Sequence, residues 1–302
     1  MTFLIRVPAT TANLGPGFDC LGLALDIWND LEVSVTGDKL QIELQGRNAD
    51  FLPVTEENAI CQSMLAYAKR RKKPLPNGLH LLCINRIPLG SGLGSSSAAA
   101  VAGILAATAI LDIPQDIEDQ LDCAEQIEGH PDNVAPCLFG GLVASTVDHG
   151  KVFARKLPIS DFSLVIVHPN FIFPTRTARA ALPKQVSHRD AVQNSSRVLL
   201  LSEALRTSDH DLLRIAMQDR LHEPYRLPLI PGASAAIAAG KNAGAIAVVL
   251  SGAGPSLLAF SPSCEANPAI ATAIQEVFTQ AGLASEVFFP KISQFGATIT
   301  SI

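Results

Sequence analysis

Hydrophobic and polar residues alternate along this chain in short runs that predict strands and in longer runs that predict helices. Short apolar or alternating runs predict strands at residues 3–7, 79–84, about 139–146 and 163–167, and the alternation over 30–35 and 40–44 predicts a half-buried hairpin. Apolar residues at helical spacing predict helices over residues 58–72, 98–111, 116–128, 189–207 and 209–221. We expect a polar, glycine-rich loop at 8–19, a polar block at 129–133, and two apolar strands joined by Ser-Gly-Ala-Gly-Pro within 243–260.

The order of these elements indicates the fold class. Strands and helices are mixed without a regular strand–helix repeat, so the pattern predicts an α+β fold and not a doubly wound parallel sheet. A second series of strands and helices starts near Pro158, and 302 residues are about the length of two ordinary domains. The sequence therefore predicts one domain over residues 1–157 and another over residues 158–302.

Residues 88–97 are the most informative segment, because a glycine-rich loop there leads from a predicted strand directly into a predicted helix. Glycines remove side chains where the backbone must turn sharply, and serines can cap the helix, so free amides and a helix N-terminus would face a bound anion. This pattern predicts a site for the phosphates of a nucleotide, formed by Pro88, Leu89, Gly90, Ser91, Gly92, Leu93, Gly94, Ser95, Ser96 and Ser97.

Other interpretations of this segment fit its spacing less well. A flexible glycine–serine linker would not be flanked so closely by a strand and a helix. A Walker A loop needs a lysine after its last glycine, and a dinucleotide fold needs its third glycine at the same position, where this chain has Ser95. A membrane span over residues 89–111 is disfavoured because its first third is glycine and serine.

Composition and charge narrow the function classes. With 48% hydrophobic and 17% charged residues, and with no leader or cleavage site at its start, the chain is typical of a compact cytoplasmic protein. A formal net charge of -5 argues against nucleic-acid binding, and we expect the basic run at residues 69–73 to lie at a helix C-terminus. Six scattered cysteines without a Cys-x-x-Cys pair predict reduced, mostly buried thiols and neither a zinc site nor a redox pair.

Three blocks of sequence together carry a family resemblance. They are Pro-Ala-Thr-Thr-Ala-Asn-Leu-Gly-Pro-Gly-Phe-Asp at residues 8–19, the loop at 88–97, and Leu-Ser-Gly-Ala-Gly-Pro-Ser at 250–256. In this order and at these separations they resemble the three motifs of the superfamily of galactokinase, homoserine, mevalonate and phosphomevalonate kinases. His-Pro-Asp-Asn-Val-Ala-Pro at 130–136 and His-Glu-Pro-Tyr-Arg at 222–226 look like the homoserine kinases in particular. Small departures are Thr11, where serine is usual, and the short connection from Glu128 to His130.

The resemblance implies a fold, a reaction and its cofactors. The N-terminal domain would bind ATP and resemble the second domain of ribosomal protein S5, and the C-terminal domain would be ferredoxin-like, with the active site between them. The reaction would transfer the γ-phosphoryl group of ATP to the side-chain hydroxyl of L-homoserine. By family position, Ser96 and Glu128 would bind Mg²⁺, a cation that prefers oxygen ligands, and Asn58 would lie near the adenine. A homodimer is a further expectation.

The resemblance also implies which residues bind the acceptor. Arg179 and Arg226 would bind its carboxylate, since a guanidinium group can donate two parallel hydrogen bonds, and Asp19 would bind its ammonium group. The polar lining would be completed by Asn13, His130, Asn133 and Thr175. Asp132 would orient the hydroxyl or accept its proton, while the identity of a general base stays open because the first block has no lysine. Residues 251–255 are expected to form a tight turn that supports the phosphate loop.

Two other functions remain open at this point. The same fold would serve a kinase of mevalonate or of a sugar, although mevalonate has no ammonium group for Asp19. A relative that binds a nucleotide without catalysis would keep the loop and lack phosphoryl transfer.

Overall fold

The computed structural model describes residues 1–302 and contains two β-sheets. The first sheet consists of β1 (Thr2–Asn13), β2 (Gly17–Val35), β3 (Leu40–Gly46), β4 (Leu79–Asn85), β5 (Leu142–Asp148), β6 (Lys151–Leu157) and β11 (Thr298–Ser301). Its order is β11-β1-β2-β4-β3, and β5 pairs with β2 and β6. All pairs are antiparallel except β3 with β4.

The predicted hairpin of residues 30–35 with 40–44 is wrong in its pairing. Both segments are strands, but β4 lies between them, antiparallel to β2 and parallel to β3. Alternation identifies a half-buried strand without identifying its partner, and a parallel partner needs a long crossover, which residues 47–78 supply here. The predicted loop at 8–19 is also largely extended, because β1 continues to Asn13 and β2 begins at Gly17.

Four helices pack beside this sheet: α1 (Ala59–Arg70), α2 (Ser95–Ile110), α3 (Ile117–Glu128) and α4 (Pro131–Phe139). The first three confirm predicted helices, and Lys69 and Arg70 lie in the last turn of α1 as expected. The sequence analysis missed α4, whose start lies in the polar block. Pro131 occupies the first turn, where proline lacks only an amide that would have no helical partner, and Asp132 and Asn133 are buried.

The second sheet confirms the α+β class and the ferredoxin-like architecture. Its strands are β7 (Ser163–Pro169), β8 (Ala247–Leu250), β9 (Leu257–Ser261) and β10 (Ser285–Phe288), all antiparallel in the order β10-β7-β9-β8. Between β7 and β8 lie α5 (Thr175–Ala180), α6 (His188–Thr207), α7 (His210–Ala216), α8 (Glu223–Arg226) and α9 (Ala233–Asn242), and α10 (Asn267–Gln280) connects β9 to β10. The result is a βαββαβ order with additional helices in the first crossover.

The helix predicted over 209–221 ends early, at Ala216. Beyond it, the buried carboxylate of Asp219 accepts hydrogen bonds from the amides of Leu221, His222 and Glu223 at 3.0, 2.7 and 2.7 Å. An aspartate that binds nearby backbone amides in this way competes with a continuous helix.

The chain passes between the two sheets twice. It leaves the first sheet after β6 and returns at its end, where Leu25 bridges Ile292 and β11 pairs with β1. The boundary after residue 157 stays a prediction, but the last strand lies in the first sheet and not with the rest of 158–302. One large hydrophobic core joins the first sheet and its helices to one face of the second sheet. A smaller hydrophobic core lies between the other face of the second sheet and helices α9 and α10.

The cysteines are all free, and four of the six are buried, as predicted. Burial raises the pKa of the Cys61 and Cys123 thiols to about 11 and that of Cys83 to about 12. None of the helices combines the length and the apolar character that a membrane span requires.

Candidate active site

The three sequence blocks meet in one place between the two sheets. Asn13 donates from Nδ2 to the carbonyl of Gly252 at 2.7 Å, and the Gly252 amide donates to the carbonyl of Ala12 at 3.1 Å. The Ser251 hydroxyl lies 2.8 Å from both the Thr11 hydroxyl and the carbonyl of Gly92. The turn at 251–255 therefore joins the first block to the phosphate loop, as predicted, and Thr11 supplies the same hydroxyl that serine would.

The phosphate loop leaves a group of free amides at the start of α2. Gly94 is the N-cap residue, with a φ of 70° and no side-chain cap. No hydrogen bond of the structure uses the amides of Ser95, Ser96 or Ser97, whereas the next amide, of Ala98, donates to the Gly94 carbonyl at 2.8 Å. Three unpaired amides at a helix N-terminus form a site that favours a phosphate.

Two glycines of the loop are required by close contacts. A Cβ added at Gly92 would lie 2.2 Å from the Ser251 carbonyl oxygen, and one added at Gly94 would lie 2.0 Å from the Thr10 hydroxyl oxygen. The Gly94 position thus faces the first block and not the space in front of the amides.

Glu128, the last residue of α3, lies against the serines of α2. Its carboxylate accepts hydrogen bonds from the Ser96 hydroxyl at 2.5 Å and from the Ser97 hydroxyl at 2.7 Å. The side-chain oxygens of Ser96 and Glu128 lie beside the backbone amides that would bind phosphate. Two or three such oxygen ligands suit Mg²⁺, which keeps several water or phosphate ligands. No cluster of three or more histidine, cysteine, aspartate or glutamate side chains could hold a metal ion by itself.

A polar cavity of about 200 Å³ opens in front of these groups. Every predicted acceptor-binding residue lines it, and Asp132 and Glu128 line it as well. The acceptor-binding residues are Asn13, Asp19, His130, Asn133, Thr175, Arg179 and Arg226. Most of the phosphate loop also lines the cavity, namely Gly90, Ser91, Gly92, Gly94, Ser95, Ser96 and Ser97. Three loop residues do not. Pro88 and Leu93 point elsewhere, Leu93 being fully buried, and Leu89 lines a neighbouring cavity.

The two predicted arginines differ in their surroundings. Arg179 makes two parallel hydrogen bonds to Asp19, at 2.8 and 3.0 Å, and the pair is partly exposed. Arg226 is only 2% exposed, and no carboxylate lies within salt-bridge distance of it. Burial and the nearby charge of Arg179 lower the pKa of its guanidinium. A buried cation without an anion is costly, so the cavity favours a negatively charged group next to Arg226.

The start of α4 brings a second polar group to the cavity. His130 lies with Nδ1 2.6 Å from Asp132 Oδ1, and Thr10 donates to Asn133 Oδ1 at 2.8 Å. Burial is the largest single influence on the pKa of His130 and lowers it, but the hydrogen bond to Asp132 and the negative charges of Asp132 and Glu128 together outweigh burial, so the pKa lies above its ordinary value. His130 therefore holds one carboxylate oxygen of Asp132, and both residues line the cavity.

Two family models match the chain, GHMP kinases N terminal domain over residues 58–141 and GHMP kinases C terminal over residues 201–280. A homoserine kinase of Moorella thermoacetica is 43% identical over 282 residues, covering 93% of this chain and 94% of the relative. One of Carboxydothermus hydrogenoformans is 39% identical over 293 residues, covering 97% and 95%. The chain belongs to the homoserine kinase family of GHMP kinases.

A solved structure supports this membership. The homoserine kinase of Cytophaga hutchinsonii superposes with a TM-score of 0.87 at 34% identity, over 99% of this chain and 97% of that one. The family resemblance drawn from the three sequence blocks is thereby confirmed.

A second, more apolar cavity of about 250 Å³ adjoins the phosphate loop and shares Gly90, Ser95 and Ser96 with the polar cavity. Asn58 lines it, but its side chain is used within the chain, accepting from the Ile60 amide at 3.0 Å and donating to the Pro53 carbonyl at 2.8 Å. Asn85, which the sequence analysis did not identify, lines the same cavity and its buried Nδ2 has no partner.

Sequence reasoning also missed the residues that surround Arg226. Its guanidinium lies 5.1 Å from the ring centre of Phe18, and its Nη1 lies 3.2 Å from Nδ1 of His222. His222 precedes Arg226 by four residues, a spacing that places side chains together on a helical turn. That spacing in His-Glu-Pro-Tyr-Arg was the available signal for His222.

Proposed function

We propose that this protein transfers the γ-phosphoryl group of ATP to the side-chain hydroxyl of L-homoserine, in the presence of Mg²⁺, to form O-phospho-L-homoserine for threonine biosynthesis. The observation that carries the proposal is the buried guanidinium of Arg226, which has no carboxylate partner, in the same cavity as the free amides of α2. One end of the cavity suits phosphate and the other suits a carboxylate, as an amino-acid acceptor requires. Membership of the homoserine kinase family supports the same reaction.

At the phosphate end, the amides of Ser95, Ser96 and Ser97 bind the ATP phosphates, and the apolar cavity beside them receives the adenine. Asn85 Nδ2 is the donor available to the base, because the Asn58 amide is already engaged. Ser96 and Glu128 bind Mg²⁺, which supplies positive charge to the phosphates.

At the acceptor end, Arg226 binds the carboxylate of homoserine. The Arg179–Asp19 pair lies in the same cavity, and the Asp19 carboxylate retains lone pairs for the ammonium group. Asn13, Thr175, His130 and Asn133 complete the lining, so that the hydroxyl faces the γ-phosphate.

In the transfer, a bond forms between the homoserine hydroxyl oxygen and the γ-phosphorus, and the bond from that phosphorus to the β,γ-bridging oxygen breaks. Asp132, which His130 holds through one carboxylate oxygen, is the candidate of this chain to orient the hydroxyl or take its proton. Most of the rate enhancement then comes from positioning and from charges placed around the phosphoryl group.

The test is a coupled assay of ADP release with homoserine, mevalonate and galactose side by side. Homoserine should support turnover far above the other two. Preferential turnover of mevalonate or galactose would replace the proposed acceptor, and ATP binding without turnover of any of them would indicate a non-catalytic nucleotide-binding relative. Assembly as a homodimer and a cytoplasmic location stay predictions, which mass measurement in solution and cell fractionation would test.

A further inference from the structure

His222 lies behind Arg226, outside the cavity itself, and is completely buried. Three residues from two parts of the chain hold it. Its Nε2 lies 2.8 Å from the Gly15 carbonyl in the first sequence block, its backbone amide donates to Asp219 at 2.7 Å, and its ring stacks on Phe18 with centres 5.2 Å apart. A side chain fixed in this way has one orientation.

The hydrogen bonds of the ring determine its tautomer. A carbonyl oxygen can only accept, so Nε2 must carry the proton that it donates to Gly15. A guanidinium group can only donate, so Nδ1 must be unprotonated to accept from Arg226 Nη1 at 3.2 Å. Both contacts are satisfied by a neutral imidazole with its proton on Nε2, and by no other form of the ring.

The remaining contacts of Arg226 show what this bond achieves. Its Nε lies 3.4 Å from the Ala178 carbonyl, and Nη1 lies 3.4 Å from the Gly252 carbonyl, both at the long end of hydrogen bonding. Nη2 has no protein partner. The bond to His222 is thus the shortest that the guanidinium makes, and it leaves the Nη2 side for a ligand.

We propose that His222 is a positioning residue, whose neutral imidazole holds the Arg226 guanidinium so that its free N–H groups face the carboxylate of the acceptor. The inference rests on the proposed role of Arg226 in binding that carboxylate. Because His222 also binds Gly15, it links the orientation of Arg226 to the first block, whose Asn13 lines the same cavity. It does not touch the nucleotide site, so its effect should fall on the acceptor.

Two isosteric variants separate the two bonds of the ring. In His222→Asn the side-chain oxygen takes the place of Nδ1 and can still accept from Arg226, while the bond to Gly15 is lost. In His222→Gln the terminal amide reaches the place of Nε2 and can still donate to Gly15, while the acceptor for Arg226 is lost. His80→Gln is the matched control, since His80 lies on β4, partly exposed, with Nε2 2.9 Å from Glu43.

The measurement is the KM for homoserine, the KM for ATP and kcat for each variant, together with thermal unfolding. We expect His222→Gln to raise the homoserine KM about tenfold or more, with the ATP KM within about twofold, and His222→Asn to stay within about threefold of the parent protein. His80→Gln should leave all three constants unchanged. Equal effects of the asparagine and glutamine variants, or a rise shared by the ATP KM, would show that His222 only stabilises the fold.

A second readout does not depend on the substrate. Nitrogen-15 NMR of histidine-labelled protein at neutral pH should show His222 as the Nε2–H tautomer, and a crystal structure of His222→Gln should show the Arg226 guanidinium displaced. The Nδ1–H tautomer, or an unmoved guanidinium, would overturn the inference. If the parent protein does not phosphorylate homoserine, the proposed function fails alone, and these two observations still decide whether His222 positions Arg226.

Discussion

Replacing Gly94 with alanine tests how the phosphate loop is held against the first sequence block. An alanine there meets two separate costs. Its φ of 70° lies in the left-handed region, which costs an ordinary residue about 1–2 kcal/mol. Its Cβ would also lie 2.0 Å from the Thr10 hydroxyl oxygen, which bonds to Asn133. Breaking that buried bond adds about 0.5–1.5 kcal/mol.

Gly150 provides the matched control. It lies in the turn between β5 and β6 with a φ of 76°, and an added Cβ would meet nothing within 4 Å. Gly150→Ala therefore meets the backbone cost alone, about 1–2 kcal/mol, and Gly94→Ala should lower the free energy of unfolding by roughly 1.5–3.5 kcal/mol. The difference between the variants measures the contact with Thr10.

The same substitution should weaken ATP binding, because relief of the contact must move Gly94 and with it the amides of Ser95, Ser96 and Ser97. A displacement of about 1 Å at such a site costs up to about 100-fold in function. Calorimetry should show a weaker ATP affinity for Gly94→Ala and an unchanged one for Gly150→Ala. Equal loss of stability in the two variants, with parental ATP affinity in both, would refute this account of the loop.

Three further predictions concern the charged groups. Glu128→Gln should lower kcat by about 10²–10³-fold at saturating Mg²⁺, as loss of a charge-stabilising contact does, and the exposed Glu118→Gln on the same helix should not. Arg226→Ala should raise the homoserine KM by the equivalent of about 2–5 kcal/mol, while Arg214→Ala, an exposed arginine, should leave it unchanged. Burial raises the pKa of Glu223 to about 8, so the folded protein keeps a proton there that the unfolded chain releases near pH 4.5. Stability should therefore fall as the pH rises between these values, and Glu223→Gln should remove that fall.

A specific result would contradict each of these three predictions. Full turnover of Glu128→Gln would exclude Glu128 as a metal ligand, and a change confined to the ATP KM would remove Arg226 from the acceptor site. Thermal unfolding of the Glu223→Gln variant with the same pH dependence as the parent protein would show that Glu223 is not the group responsible.

Elements whose signal is contained in a few neighbouring residues could be predicted from the sequence. The strand at 79–85, the glycine loop and the alanine-rich helix after it are all local, and the structure has them within a few residues. The parallel pairing of β3 with β4 could not be predicted, because the 32 residues between β3 and β4 carry no signal for the neighbour of either strand. Residues 129–133 were predicted only as a polar block, although α4 begins within that block at Pro131.

The residues of the candidate site could likewise be predicted only in part from the sequence. Most of its motif residues were identified and lie in one cavity, since the family pattern fixes them one by one, whereas Pro88, Leu89, Leu93 and Asn58 lie outside it. Of the groups that hold them, the turn at 251–255 was predicted as part of the family pattern, but the role of His222 was not, because such contacts join distant parts of the chain. Gly15 and His222 are 207 residues apart, and Asn13 and Gly252 are 239 apart. A buried guanidinium with no carboxylate beside it, as at Arg226, and a buried amide nitrogen with no partner, as at Asn85, are visible only in three dimensions.

The return of β11 to the edge of β1 has a consequence for how the protein is made. The amide of Ile302 donates to the carbonyl of Thr2 at 3.0 Å, so residues 2 and 302 are neighbours. During synthesis, β1 has one edge uncovered until residues 298–301 have left the ribosome, so the first sheet is completed late. The same closeness makes a circular permutant, with residues 2 and 302 joined by a short linker, a natural design for completing that sheet earlier.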